Sequence, residues 1–217
     1  TFLATLLPFI LHIHQDYLAF LALGPGGTPP TFTGYLKVTI LSFFALKNPY
    51  QPGPTPERFA GCPGNLVALP QRSGPRPCTR GIAPQRQITQ KASEAVYERL
   101  AAGIEKLSNP KLVVGTSCFE KYSTGLFSVS PAKRTCKGEV CHSHPSDGSM
   151  HLTLHPADAS IVLKAGWGER HPLARGGWFE QFVPAGFVMI YAPRDEKEVE
   201  VVLSIVKAAA WFVGGGD

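Results

Sequence analysis

The segment Glu139–Pro156, EVCHSHPSDGSMHLTLHP, holds four of the chain's seven histidines: His142, His144, His151 and His155. Imidazole is the usual protein base near neutral pH and the commonest metal ligand. Side chains alternate faces along a strand. His142 and His144 therefore share one face of a first strand, and His151, Thr153 and His155 share one face of a second. Leu152 and Leu154 take the opposite face, which should turn to the core and leave the histidines in a cleft. The turn PSDGS sets whether the two histidine pairs meet, because a one-residue slip in register would separate them. Three imidazoles can bind zinc, iron or copper. The acid that would complete a His-x-His metal motif is missing, and Asp147 sits in the turn. The expectation is a base with its orienting partners and no metal.

A second cluster, GWGERHPL at residues 166–173, reads as a glycine-hinged loop carrying Trp167, Glu169, Arg170 and His171. Such a loop can lay an indole over a flat substrate and bring a cation to a developing oxyanion. In YAPRDE, Tyr191 ends a strand and Arg194 sits at a helix start.

These groups need elements to hold them. Residues 1–47 are apolar. TFLATLLPFILHI is too short to span a membrane, which takes about 20 apolar residues. HQDYLAFLAL continues the helical spacing until GPGGTPP stops it. A second apolar stretch, TFTGYLKVTILSFFAL, follows. The pair reads as docked helices, a trimmed anchor or a lipid-facing surface. Residues 48–84 are crowded with Pro and Gly and read as an ordered wrap pinned by Phe59, Leu66, Val67 and Leu69. Residues 85–217 form the core. PQRQITQKASEAVYERLAAGIEKLSNP reads as one helix with the stripe Ile88, Ala92, Ala95, Val96, Leu100 and Ile104. KLVVGTSCFE, GLFSVS, GEVCHSH, MHLTLH and GFVMIYAP read as strands. PADASIVLKAGW and RDEKEVEVVLSIVKAAAWFV read as helices, the latter with acids in its first turn. The fold class expected is α+β, mainly antiparallel sheet with helices packed on one side.

The totals exclude several classes. The chain has 217 residues and a formal net charge of +5. There is no zinc-finger spacing, RNP-like segment or continuous basic helix, so nucleic acid is not an expected partner. The basic run AKRTCKGE reads as a solvated loop. Five cysteines leave at least one thiol free. Cys62 and Cys78 flank the wrap, where a disulfide would fit in an oxidising compartment.

Together, EVCHSH…HLTL, LKAGWGERHPL and YAPRDEKEVEVV resemble the signature blocks of the fungal luciferase domain family. DYLAFLALGPGGTPPTFTGYLKVTILSFF is similar to the segment that follows the membrane anchor in those luciferases. The resemblance implies oxygenation of an enolisable substrate, in the luminous members a hydroxylated styryl-pyrone. Molecular oxygen is the co-substrate, with no cofactor. It implies membrane association through residues 1–46, in the endoplasmic reticulum or secretory route. The matching positions are Glu139, His142, His144, His151, Trp167, Arg170, His171, Tyr191 and Arg194. His142, His144 and His151 are expected as the base and its orienting partners. Arg170 and His171 should hold the anion, and Trp167 should stack on a ring. Glu139, Tyr191, Arg194 and His155 complete the substrate-binding set. The wrap and the short PSDGS turn depart from the luminous pattern, so the expected substrate is another aromatic, pyrone or polyketide-type metabolite. Three other readings use the same residues: a non-oxidative isomerase, cyclase or decarboxylase, a histidine-ligated metalloenzyme, and a non-catalytic membrane-associated binding protein.

Overall fold

The structure is a computed structural model that describes residues 2–132 and 135–216. Lys133 and Arg134 of the expected basic loop lie outside the described residues; Lys137 is exposed. The architecture is α+β, as the sequence pattern predicts. Six strands form one antiparallel sheet in the order β3(Leu112–Thr116), β4(Thr124–Ser128), β5(Glu139–Ser143), β6(Met150–Thr153), β8(Phe187–Ile190) and β7(Gly168–Arg170). A two-stranded hairpin, β1(Thr79–Gly81) with β2(Gln85–Gln87), stands apart from it.

Strand register assigns the two faces of the sheet. Leu126, Cys141, Leu152, Val188 and Arg170 are paired in one row across five strands. The next row is Gly125, His142, His151, Met189 and Glu169. Because successive side chains point to opposite faces, the first row looks to the helices and the second away from them. Helix α5(Glu196–Val213) packs on the first face and α3(Glu94–Glu105) packs on α5. Leu126, Leu152, Val188 and Ile190 meet Val202, Ile205 and Val206 there, all fully buried. Asp195 caps α5 by accepting from Glu198 N, and the acids Glu196 and Glu198 in its first turn suit the helix dipole.

Two elements differ from the sequence expectation. Gln85–Gln87 is strand, and the helix starts only at Glu94, where Ser93 accepts from Val96 N. The helical spacing of residues 94–105 does not extend over Gln85–Gln87, whose polar side chains are buried. Ile88, counted in the apolar stripe, is 44% exposed. Gly168–Arg170, expected as a loop, is the edge strand β7, and Gly168 carries no side chain because a β-carbon there would stand 2.4 Å from the Met189 carbonyl oxygen.

The other face of the sheet is met by the β1–β2 hairpin, by α2(Phe32–Ser42) and by the segments that carry Phe119 and Phe179. Helices α1(Phe2–Leu21) and α2 pack through Tyr17, Phe20, Phe32 and Tyr35. Their outer sides leave Phe9, Ile10, Leu36 and Ile40 exposed. Among the described residues no helix is long and apolar enough to cross a membrane. The Pro/Gly-rich wrap is tied down by hydrogen bonds and by Leu66 and Leu69, which pack against the core. Asp158, in the first turn of α4(Pro156–Lys164), accepts from Asn65 N and Leu66 N at 3.0 and 2.8 Å. Arg76 donates to Gly168 O at 2.7 Å. Phe59 is buried as expected, whereas Val67 is 97% exposed and anchors nothing.

The disulfide expectation is corrected. Cys118 is bonded to Cys136, and Cys62 and Cys78 are free thiols. Cys78 lies beside the β1–β2 hairpin, where its backbone N–H is engaged by Thr89 Oγ1, while Cys62 follows a short 3-10 turn at Glu57–Phe59. Spacing alone could not choose among the pairings.

Candidate active site

His142 and His151 stand directly opposite each other on β5 and β6. The tight PSDGS turn then brings His144 opposite Ser149, with His144 N donating to Ser149 O at 2.8 Å. This register puts all three imidazoles on one face. Their ring centroids lie 4.8 to 5.3 Å apart. A bulge between β4 and β5 opposes Phe127 to Glu139 out of step and turns the Glu139 carboxylate back onto the histidine face.

All of this is buried. His144 is fully enclosed, and His142 and His151 are no more than 4% exposed. Each ring has a fixed outer partner. Glu139 Oε1 is 2.6 Å from His142 Nδ1, Ser149 Oγ is 2.9 Å from His144 Nδ1, and Gln85 Oε1 is 2.9 Å from His151 Nε2. Between them, His144 Nε2 and His151 Nδ1 are 3.1 Å apart. Burial, reinforced by the neighbouring imidazoles and Arg86, holds His144 and His151 well below the ordinary imidazole pKa, so both rings are neutral. His171 is pushed down to about 4, chiefly by burial. Its Nε2 donates to Ile82 O at 2.9 Å and its Nδ1 accepts from Leu173 N at 3.1 Å.

A layer of polar residues surrounds the cluster. Glu169 accepts from Thr79, Gln85 and the Tyr191 hydroxyl at 2.7, 2.8 and 3.0 Å. Asp147 accepts from Ser149 N at 2.7 Å, from Ser149 Oγ, and from Gln87 N at 3.2 Å. Burial raises the pKa of both carboxyls, and the bonds they accept oppose that rise. Arg86 is buried and paired with Glu120, and it also donates to Pro25 O at 2.6 Å.

A cavity of about 350 Å³ opens over this face. His142, His151, His171 and Glu120 line its polar side. Phe119, Ile82, Leu173, Phe179 and Phe187 line the apolar side, and Trp178 and Phe182 stand at its rim, more than half exposed. The Phe187 ring is stacked on His151, with centroids 5.1 Å apart and planes at 11°. Such a chamber is of ordinary size for a small organic ligand.

The structure brings His142, His144, His151, His171 and Glu139 together. Four expected residues lie elsewhere. Arg170 is on the helix face of β7, paired with Val188, and its guanidinium donates to Ala174 O. It lines a separate cleft with Gly53, Arg58 and Phe59. Strand alternation separates it from His171, so the two cannot hold one anion. Trp167 is 2% exposed and packed in the core, where its Nε1 donates to Pro70 O at 2.7 Å. His155 has left the strand. It caps α4 by accepting from Ala157 N at 3.2 Å, and it packs edge-on against Phe59 and Phe212. Arg194 bonds Glu198 and Ser73, fastening the start of α5 to the wrap. Tyr191 reaches the site indirectly, through Glu169.

Sequence reading missed Gln85, Arg86, Glu120, Ser149 and Phe187. Its one available signal was QRQ, a polar triplet in an otherwise periodic stretch, which is anomalous for a helix face.

Residues 137–209, which carry the histidine hairpin and most of α5, match the Luciferase domain family model. The chain is 32% identical to a luciferase of Neonothopanus nambi over 225 residues, covering 93% of this chain and 81% of that protein. It is 31% identical to a luciferase of Armillaria mellea over 226 residues, covering 93% and 82%. The chain belongs to the fungal luciferase family. No solved structure matches it.

Proposed function

We propose that the chain is a small-molecule oxygenase that takes a flat, enolisable substrate of aromatic, pyrone or polyketide type into the cavity above His142 and His151. The observation that carries this reading is the join between two unlike surfaces. The apolar wall of Phe119, Phe179 and Phe187 suits a conjugated ring, and it ends on a buried floor of imidazoles. An enol bound there would give up its proton to the histidine cluster, with His144 and His151 acting as a pair. The resulting enolate is electron-rich and can react with molecular oxygen without an organic cofactor. His171 lies beside His151, with ring centroids 5.5 Å apart, and borders the cavity with its ring, since both of its nitrogens are bonded to backbone groups. Exclusion of water by the apolar rim would protect a reactive intermediate.

Membership of the luciferase family supports oxygenation over isomerisation or decarboxylation. An oxygen electrode decides it. With hydroxylated styryl-pyrones and related enols as candidate substrates, oxygen uptake should equal product formed, and His144→Gln and His151→Gln should abolish both. Turnover without oxygen uptake would leave the non-oxidative reading in its place. The exposed apolar sides of α1 and α2 support membrane contact by residues 1–46, which co-flotation with phosphatidylcholine vesicles would test.

A further inference from the structure

The direction of the hydrogen bonds around the cluster is fixed from outside. Glu139 Oε1 accepts from His142 Nδ1 at 2.6 Å. Gln85 donates from Nε2 to Glu169 at 2.8 Å, so its Oε1 faces His151 Nε2 and accepts from it. Ser149 Oγ gives its single proton to Asp147, so it accepts from His144 Nδ1. Asp147 and Glu169 each take three donors, which favours the carboxylate as the acceptor.

A neutral imidazole has one N–H. The outer nitrogens hold all three protons, and the inner ones, His142 Nε2, His144 Nε2 and His151 Nδ1, are left with lone pairs. His144 Nε2 and His151 Nδ1 then face each other at 3.1 Å with no proton between them. Two lone pairs at that distance repel unless a cation sits against both. The three rings each offer a nitrogen within 4.8 Å of the others.

We propose that His142, His144 and His151 bind one divalent first-row transition-metal ion at the floor of the cavity. Three imidazole nitrogens suit iron, cobalt, nickel, copper or zinc and are a poor set for the oxygen-seeking magnesium and calcium ions. Ligands at about 2.0–2.1 Å in a tetrahedron stand roughly 3.3 Å apart, close to the His144–His151 separation. Each ligand is oriented through its outer nitrogen by Glu139, Ser149 or Gln85, the arrangement that holds metal-bound histidines in place. Three protein ligands leave a position open, as in catalytic rather than structural sites. That position faces the cavity, because His142 and His151 line it. An enolate oxygen would bind there. A second group of candidate ligands, Cys118, Cys136 and Glu139, is unsuitable because its two sulfurs are joined in a disulfide.

The ion site departs from the metal-free expectation of the sequence. It keeps the substrate class of the oxygenase reading, on which it rests, and makes the three histidines ligands in place of the proton-accepting role. The test is elemental analysis of the full chain purified without metal-affinity resin, followed by removal of the ion with a chelator and titration with Co2+. One ion per chain is expected, with a Co2+-dependent rise in the melting temperature. His144→Ala and His151→Ala should lose it. Glu139→Gln should weaken Co2+ binding about 10- to 100-fold while keeping all three ligands. His171→Ala should keep the full stoichiometry, because both of its nitrogens are engaged elsewhere. Folded wild-type protein that contains no transition metal and takes up no Co2+ would overturn the site and leave a shared proton between the two rings. Bound metal without oxygen uptake on any enol would overturn the oxygenase reading and leave the ion site standing.

Discussion

The two faces of the six-stranded sheet are built from neighbouring residues of the same strands and have opposite characters. On the helix face, Leu126, Cys141, Leu152 and Val188 meet the apolar stripe of α5, and the contact is the ordinary one of sheet and amphipathic helix. On the other face, His142, His151 and Glu169 are just as buried, but under the β1–β2 hairpin and the loops that carry Phe119 and Phe179. Burying polar groups is unfavourable unless they are hydrogen-bonded. The second face therefore needs Gln85, Ser149, Thr79 and Tyr191 to complete its network. One face stabilises the fold. The other uses that stability to hold polar groups in a dry chamber.

Substitutions on each face should separate these roles. The largest loss of stability is expected from Arg86→Met, which strands a buried Glu120; about 3–5 kcal/mol should be lost in urea unfolding. The double variant Arg86→Met/Glu120→Leu should recover most of it. Next comes Leu152→Ala on the helix face, at about 2–5 kcal/mol, with the oxygen-uptake rate per folded molecule retained. Removing the disulfide with Cys118→Ser/Cys136→Ser should cost about 2–4 kcal/mol. It should also lower activity beyond its effect on folding, because Cys118 N donates to Glu139 Oε2 at 2.6 Å and so helps to place the partner of His142. The smallest effect is expected from Trp167→Phe. It removes one hydrogen bond to Pro70 O, worth about 1 kcal/mol, and should leave KM unchanged; a raised KM would restore the ring-stacking role expected from sequence.

Much of the fold was legible because its signals are periodic. Leu152 and Leu154 marked the core side of β6, and the acids at the start of α5 marked its first turn. The site was legible only where one strand carried it. His142, His144 and His151 could be placed on one face, subject to register, but the bulge that turns Glu139 toward His142 leaves no mark in the sequence. GWGERHPL was misread because its glycines resemble hinges, whereas Gly168 is small to let β7 pass the Met189 carbonyl. With β7 read as a loop, nothing separated Arg170 from His171. The partner at Gln85 comes from more than 50 residues upstream, and only tertiary structure joins it to the hairpin.

The most direct test compares adjacent residues of one strand, His151→Gln and Leu152→Ala, by oxygen uptake on the same enol substrate, each normalised to its folded fraction. His151→Gln should lose at least about 100-fold in rate, with stability changed by about 1 kcal/mol, while Leu152→Ala keeps its rate and unfolds at lower urea. A His151→Gln enzyme that turns over normally, or two variants whose rates fall only as their folded fractions do, would contradict the division of labour between the faces.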